Sequence, residues 1–133
     1  MSDDHVHALA VAEQLKQADE VTAADARRAF LDFWKSGAIH HFEVEETVVL
    51  PAYARHGAVD HPAVVKMLTE HIDLRRRAAD IQADERPRLA DLHELGKRFE
   101  AHVWLEEHDV IPLVMRTLST DELVQLQAAV EAA

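Results

Sequence analysis

The sequence predicts an all-α protein: an antiparallel up-down-up-down four-helix bundle with a short fifth helix at the C-terminus. Three observations carry this expectation. Only three of the 133 residues are Gly, and no segment alternates apolar and polar residues as a half-buried strand does. Apolar residues instead return every three or four positions over long stretches. The connections between those stretches are short, at 19–22, 57–60 and 84–87, and short connections make successive helices antiparallel neighbours.

The first helix is expected over about residues 4–18. The second opens after Thr22, a candidate N-cap, and runs to about residue 50, where Pro51 stops or kinks it. The third starts at His61-Pro62, with Pro at a helix-start position, and runs to about residue 83. The fourth begins near Pro87 and reaches Ile111, ahead of Pro112. Ser119-Thr120-Asp121-Glu122 has the form of a capping box and opens the short terminal helix. No linker divides the chain, so a single domain over 1–133 is expected.

Composition excludes several functions. There is no Cys, which removes disulfides, zinc–thiolate sites, iron–sulfur clusters and thiol catalysis. A formal net charge of −11 repels phosphate backbones, so no nucleic-acid partner is expected. No apolar run approaches membrane-spanning length, and MSDDHVH has neither the basic nor the apolar region of a leader. The expectation is a soluble, cytoplasmic protein with no membrane partner; its oligomeric state is left open.

Ten histidines are many for so small a chain, and a repeat organises some of them. HFEVEETVVLP, from His41 to Pro51, returns as HVWLEEHDVIP, from His102 to Pro112. Residues four apart share a helix face. His41 and Glu45 interrupt a stripe of Trp34, Ala38 and Val48. His102 and Glu106 interrupt a stripe of Leu92, Leu95, Phe99 and Leu105. His71 shares its face with Met67, Leu68, Leu74 and Ala78, with Arg75 beside it. On the first helix His5 aligns with Ala8, Leu9, Ala12 and Leu15, and His7 is the alternative on a poorer face with Val11 and Gln14. A lone His followed by His-x-x-x-Glu on the next helix therefore occurs twice.

Two inward carboxylates and four imidazoles need a compensating charge, and no inward Lys is in reach. A pair of divalent cations supplies it. The donor set suits first-row metals such as iron better than Mg²⁺ or Ca²⁺. The candidate metal ligands are His5, His41, Glu45, His71, His102 and Glu106. Each Glu can bridge two ions roughly 3.5–4 Å apart, leaving coordination positions open. Phe30, Phe33, Trp34 and Phe99 are expected in the core, with Trp34 a possible wall of the site. Trp104 is expected to face outward, Arg75–Arg77 to be solvated, and His40, His56, His61, His93 and His108 to lie on the surface.

The order H…HxxxE…H…HxxxE, with HFxxEE and Glu70-His71 as they stand here, resembles the hemerythrin-like, HHE cation-binding family over essentially the whole chain. The resemblance implies two Fe ions in an antiparallel four-helix bundle, a non-haem di-iron centre bridged by an oxo or hydroxo group. It also implies binding of O₂, for storage, delivery or sensing. The alternatives are a di-iron enzyme acting on peroxide or nitric oxide, or a general metal-ion-binding module; a binding protein is favoured over an enzyme. One departure stands out. Oxygen-carrying hemerythrins have HxxxH on the third helix, whereas Arg75 occupies that second position here. Water, Glu46, Glu107 or Tyr53 are the candidates to fill the gap.

Overall fold

The computed structural model describes all residues, Met1–Ala133, and is built from helices alone. We label α1 Asp3–Lys16, α2 the continuous rod 23–53, α3 Pro62–Ala83, α4 the continuous rod 89–117, and α5 Thr120–Ala132. The first four form the bundle. The capping box at α5 is formed as expected: the Ser119 side chain accepts from the Glu122 amide, and the Glu122 carboxylate accepts from the Ser119 amide.

Three helix ends depart from expectation. Thr22 does not cap α2; its side chain instead closes a turn on Asp19. Neither Pro51 nor Pro112 stops its helix. Each is preceded by a five-residue π turn, Glu45–Val49 in α2 and Glu106–Val110 in α4. The amide of Leu50 donates to Glu45 O and that of Ile111 to Glu106 O, both five residues back. The wider turn gives the pyrrolidine ring the room that an α turn denies it. The α register then resumes, with Ala54 N donating to Leu50 O and Leu118 N to Val114 O. A third π turn, Trp34–Ala38, lies earlier in α2.

The core is divided. One apolar cluster holds the aromatic end, with Phe30, Phe33, Trp34, Phe42 and Phe99 packed on Leu15, Leu74, Leu92 and Leu95. The other holds Leu50, Tyr53, Met67, Leu105, Leu113 and Val114. His71 falls between Met67 of the second cluster and Leu74 of the first, and His102 between Phe99 and Leu105 in the same way. Polar side chains thus separate two apolar layers. α1 seats closely on α4 because Gly96 has no side chain: a Cβ there would lie 2.7 Å from Ala12 O.

Candidate metal centre

The six candidate ligands are presented by the four helices of the bundle. Ser2 caps α1, accepting from the His5 amide at 3.3 Å, and His5 turns inward on the buried side of Ala8, Ala12 and Leu15. His7 lies on the exposed side, edge-on to Phe33 with ring centroids 5.0 Å apart, so α1 offers His5. His41 and Glu45 stand one turn apart on α2, as do His102 and Glu106 on α4, and α3 contributes His71. Leu68, expected beside His71, is instead exposed.

All six side chains converge, and they form two groups of four: His5, His41, Glu45 and Glu106, and His71, His102, Glu45 and Glu106. Within each group one ligand atom per residue lies within 4.8 Å of the others. The carboxylates belong to both groups, one oxygen each way. Glu106 Oε1 lies 2.9 Å from His5 Nε2, and its Oε2 lies 2.8 Å from His102 Nε2. Glu45 Oε2 lies 3.2 Å from His41 Nε2, and its Oε1 lies 3.2 Å from His71 Nε2.

These donors fit a cation better than they fit one another. Glu45 Oε1, His71 Nε2, His102 Nε2 and Glu106 Oε2 are buried without a hydrogen-bond partner. They are close but misaligned, as atoms aimed at a common point must be. Buried polar atoms are otherwise almost always paired. Together they form one complete group, and imidazole nitrogen with carboxylate oxygen is a donor set for first-row transition metals.

The outer nitrogen of every imidazole meets a second carboxylate. Asp4 Oδ2 lies 2.9 Å from His41 Nδ1, Glu46 Oε2 2.6 Å from His71 Nδ1, Glu70 Oε1 2.8 Å from His102 Nδ1, and Glu107 Oε1 2.6 Å from His5 Nδ1. A proton on Nδ1, donated to that carboxylate, leaves Nε2 free to coordinate and fixes the ring's orientation. The links form a cycle. α1 braces the histidine of α2, α2 that of α3, α3 that of α4, and α4 that of α1. Sequence reasoning missed this set as a whole, although each member is adjacent in sequence to a candidate ligand.

No side chain replaces the imidazole absent at Arg75. Glu46 is held by His71 and by Arg75 itself, whose Nη1 donates at 2.9 Å. Glu107 braces His5, and the Tyr53 hydroxyl donates to Ala58 O at 2.9 Å. Phe42 fills the space instead. Its ring stacks on His71 at 3.9 Å with planes 3° apart, and the Arg75 guanidinium lies 5.6 Å from the same ring. Arg75 is therefore half-buried and engaged rather than solvated. Trp34 stands behind Phe42 at 5.5 Å, one residue further from the site than a wall would be.

Without a cation, protons do the neutralising. Burial pulls His41 down, but the carboxylates of Glu106, Glu45 and Asp4 outweigh it and raise the imidazole to about 11. Burial likewise opposes His102, which Glu106 and Glu70 nevertheless raise to about 9. Burial also works against the charge on Glu106, but the four imidazoles around it hold it well below the usual carboxylate range. Burial, with Glu106 alongside, pushes Glu45 up. A bound cation would displace such protons.

The remaining histidines include two with structural partners where only exposure was expected. His61 caps α3 by accepting from Ala63 N, and the ring of the half-buried His93 lies 2.7 Å from Ala18 O. His40, His56 and His108 are exposed. Trp104 faces outward and stacks on His108 at 5.2 Å.

No helix is long and apolar enough to cross a membrane. Comparison with curated proteins and with solved structures finds no significant match. The family model described as the hemerythrin HHE cation binding domain matches residues 1–114, a span that includes α1, α2, α3 and every side chain of the two groups. The chain belongs to the hemerythrin HHE cation-binding domain family.

Proposed function

We propose that this protein binds two iron ions and, through them, O₂, for storage, delivery or sensing. The observation that carries this is the sharing of both carboxylates, one oxygen toward each pair of imidazoles. Four protein donors per ion leave room in a six-coordinate shell. Ferrous iron, when bound, supplies the electrons and the open coordination position that O₂ requires.

The chain's own residues do the rest. The outer carboxylates hold each imidazole in its coordinating orientation. A cavity of about 40 Å³ borders His41, His102 and Glu106 and is walled by Ala8, Phe33, Phe99 and Val103. That is room for about one small molecule. Beside the ligands themselves its lining is mostly apolar, with Asp4 and His7 as the only other ionisable groups. Anaerobic loading with Fe²⁺ followed by O₂ tests the proposal. The expected result is two irons per chain and a visible band that appears with O₂ and bleaches when O₂ is removed. Oxidation that occurs once and never reverses overturns the carrier reading, and failure to load iron overturns both parts.

A further inference from the structure

A second and larger space lies on the other side of His41. α5 does not close down on the bundle: none of its residues is fully buried, and only its Leu123–Leu126 side packs against the apolar cluster. Beneath it is a cleft of about 370 Å³, walled by Val44, Val49, Val110 and Val114 on the bundle side and by Leu123 and Leu126 on α5. The cleft is open to solvent along one side, and ten of the sixteen residues lining it are apolar. Its size and mostly apolar lining match those of small-molecule sites.

We infer that the cleft beneath α5 binds a neutral, apolar organic molecule of roughly ten carbons, about twice the size of the benzene that a 150 Å³ apolar cavity holds. Charge decides the class. The polar residues lining the cleft are Ser2, Asp4, His5, His41, Glu45 and Glu106, with no Lys or Arg to receive a carboxylate or phosphate. The imidazoles and carboxylates there pair with one another, His5 with Glu106 and His41 with Asp4 and Glu45, so no free charge is left for an ionic head group, and the apolar wall offers nothing to a strongly polar one. The outer wall, Met115 and α5, lies beyond the residues matched by the family model, which end at 114. The inference does not rest on iron or O₂, so dye binding is measured on both the metal-free and the metal-loaded full-length chain, and the displacement comparison is made on the metal-free chain, where no cation can receive a carboxylate.

The probe is N-phenyl-1-naphthylamine, a neutral dye that brightens in apolar surroundings. The expected result is saturable binding of one dye per chain. Leu126→Trp, which fills the cleft, is expected to weaken binding at least about tenfold. Met115→Trp at the exposed rim is expected to weaken it too, and it leaves the core untouched, so a misfolded Leu126→Trp does not spoil the test. Val124→Trp on the exposed side of α5 is expected to bind as the parent does. Decanol should displace the dye at least about tenfold better than decanoate. No saturable binding, equal binding by the filled and parent chains, or equal displacement by decanoate overturns the inference.

Discussion

His71 is 1% exposed and lies flat under Phe42, whereas His41, across the shared carboxylates, is 23% exposed and borders both the small cavity and the cleft beneath α5. The two groups have identical donors, two imidazoles and two carboxylates. Their surroundings differ because of single residues. On the His71 side, Phe42 and the Arg75–Glu46 pair fill the space that a further imidazole would need. On the His41 side, Asp4 is exposed, Gly37 has no side chain, and α5 packs loosely. Donor identity is set by the repeat, and access is set by what stands behind it. The solvent-facing side of the site is the one at His41, with Asp4 beside it.

Several experiments break or sharpen this contrast. The largest effect is expected from Glu106→Ala, because Glu106 serves both groups. Loading should collapse at both positions, read as iron per chain, while a variant confined to one group, such as His5→Ala, should keep one metal. Glu70→Gln weakens the brace on the enclosed His102 and should cost about 10–100-fold in metal affinity. Asp4→Asn removes the equivalent brace from the open half, but water reaches that position, so a smaller loss is expected in the same titration.

The protonation pattern gives a test of the metal-free chain. His102 and His41 are raised to about 9 and about 11. A raised histidine contributes stability that is fully present below its unfolded value, about 6.5, and is lost as pH rises through the folded one. The Tm of the metal-free protein should therefore fall between pH 6.5 and pH 9 and continue falling above it. The metal-loaded chain should show no such decline, since coordination needs the unprotonated rings.

Two smaller effects separate seating from access. Gly96→Ala should cost about 1–3 kcal/mol by pushing α1 off α4, and it should loosen the His5 position before the His71 position. A Cβ at Gly37 meets no atom within 4 Å, so Gly37→Ala should fold normally. Because Gly37 lines the small cavity, the variant should slow O₂ uptake severalfold in stopped-flow traces while iron content stays unchanged.

The ligand pattern was legible because it follows the helix period: an imidazole and a carboxylate four residues apart on an apolar stripe are conspicuous. Sequence favours His5 over His7 only through a more apolar face; the Ser2 cap and the packing of α1 on α4 orient it inward. The braces were missed because Glu46, Glu70 and Glu107 are half-buried and act on the next helix. Detecting them needs the register between helices, which a single helix's periodicity does not contain. The two prolines misled for a related reason. Periodicity over a few residues does not distinguish an α turn from a π turn, and the five-back bonds at Glu45 and Glu106 let both helices pass Pro51 and Pro112. The repeated segment encodes ligand, ligand, brace, wide turn and proline in one order, twice.

The cycle of braces has a direction. Every helix hands an acid to the one that follows it and receives one from the helix before, with α4 returning to α1. Sliding any one rod along its axis unfastens two neighbours at once. A mirror-image arrangement of the same rods would present each acid to the wrong ring. The fastening therefore chooses both the vertical alignment of the bundle and its handedness, and it does so from the rim of the site rather than from the oily layers above and below.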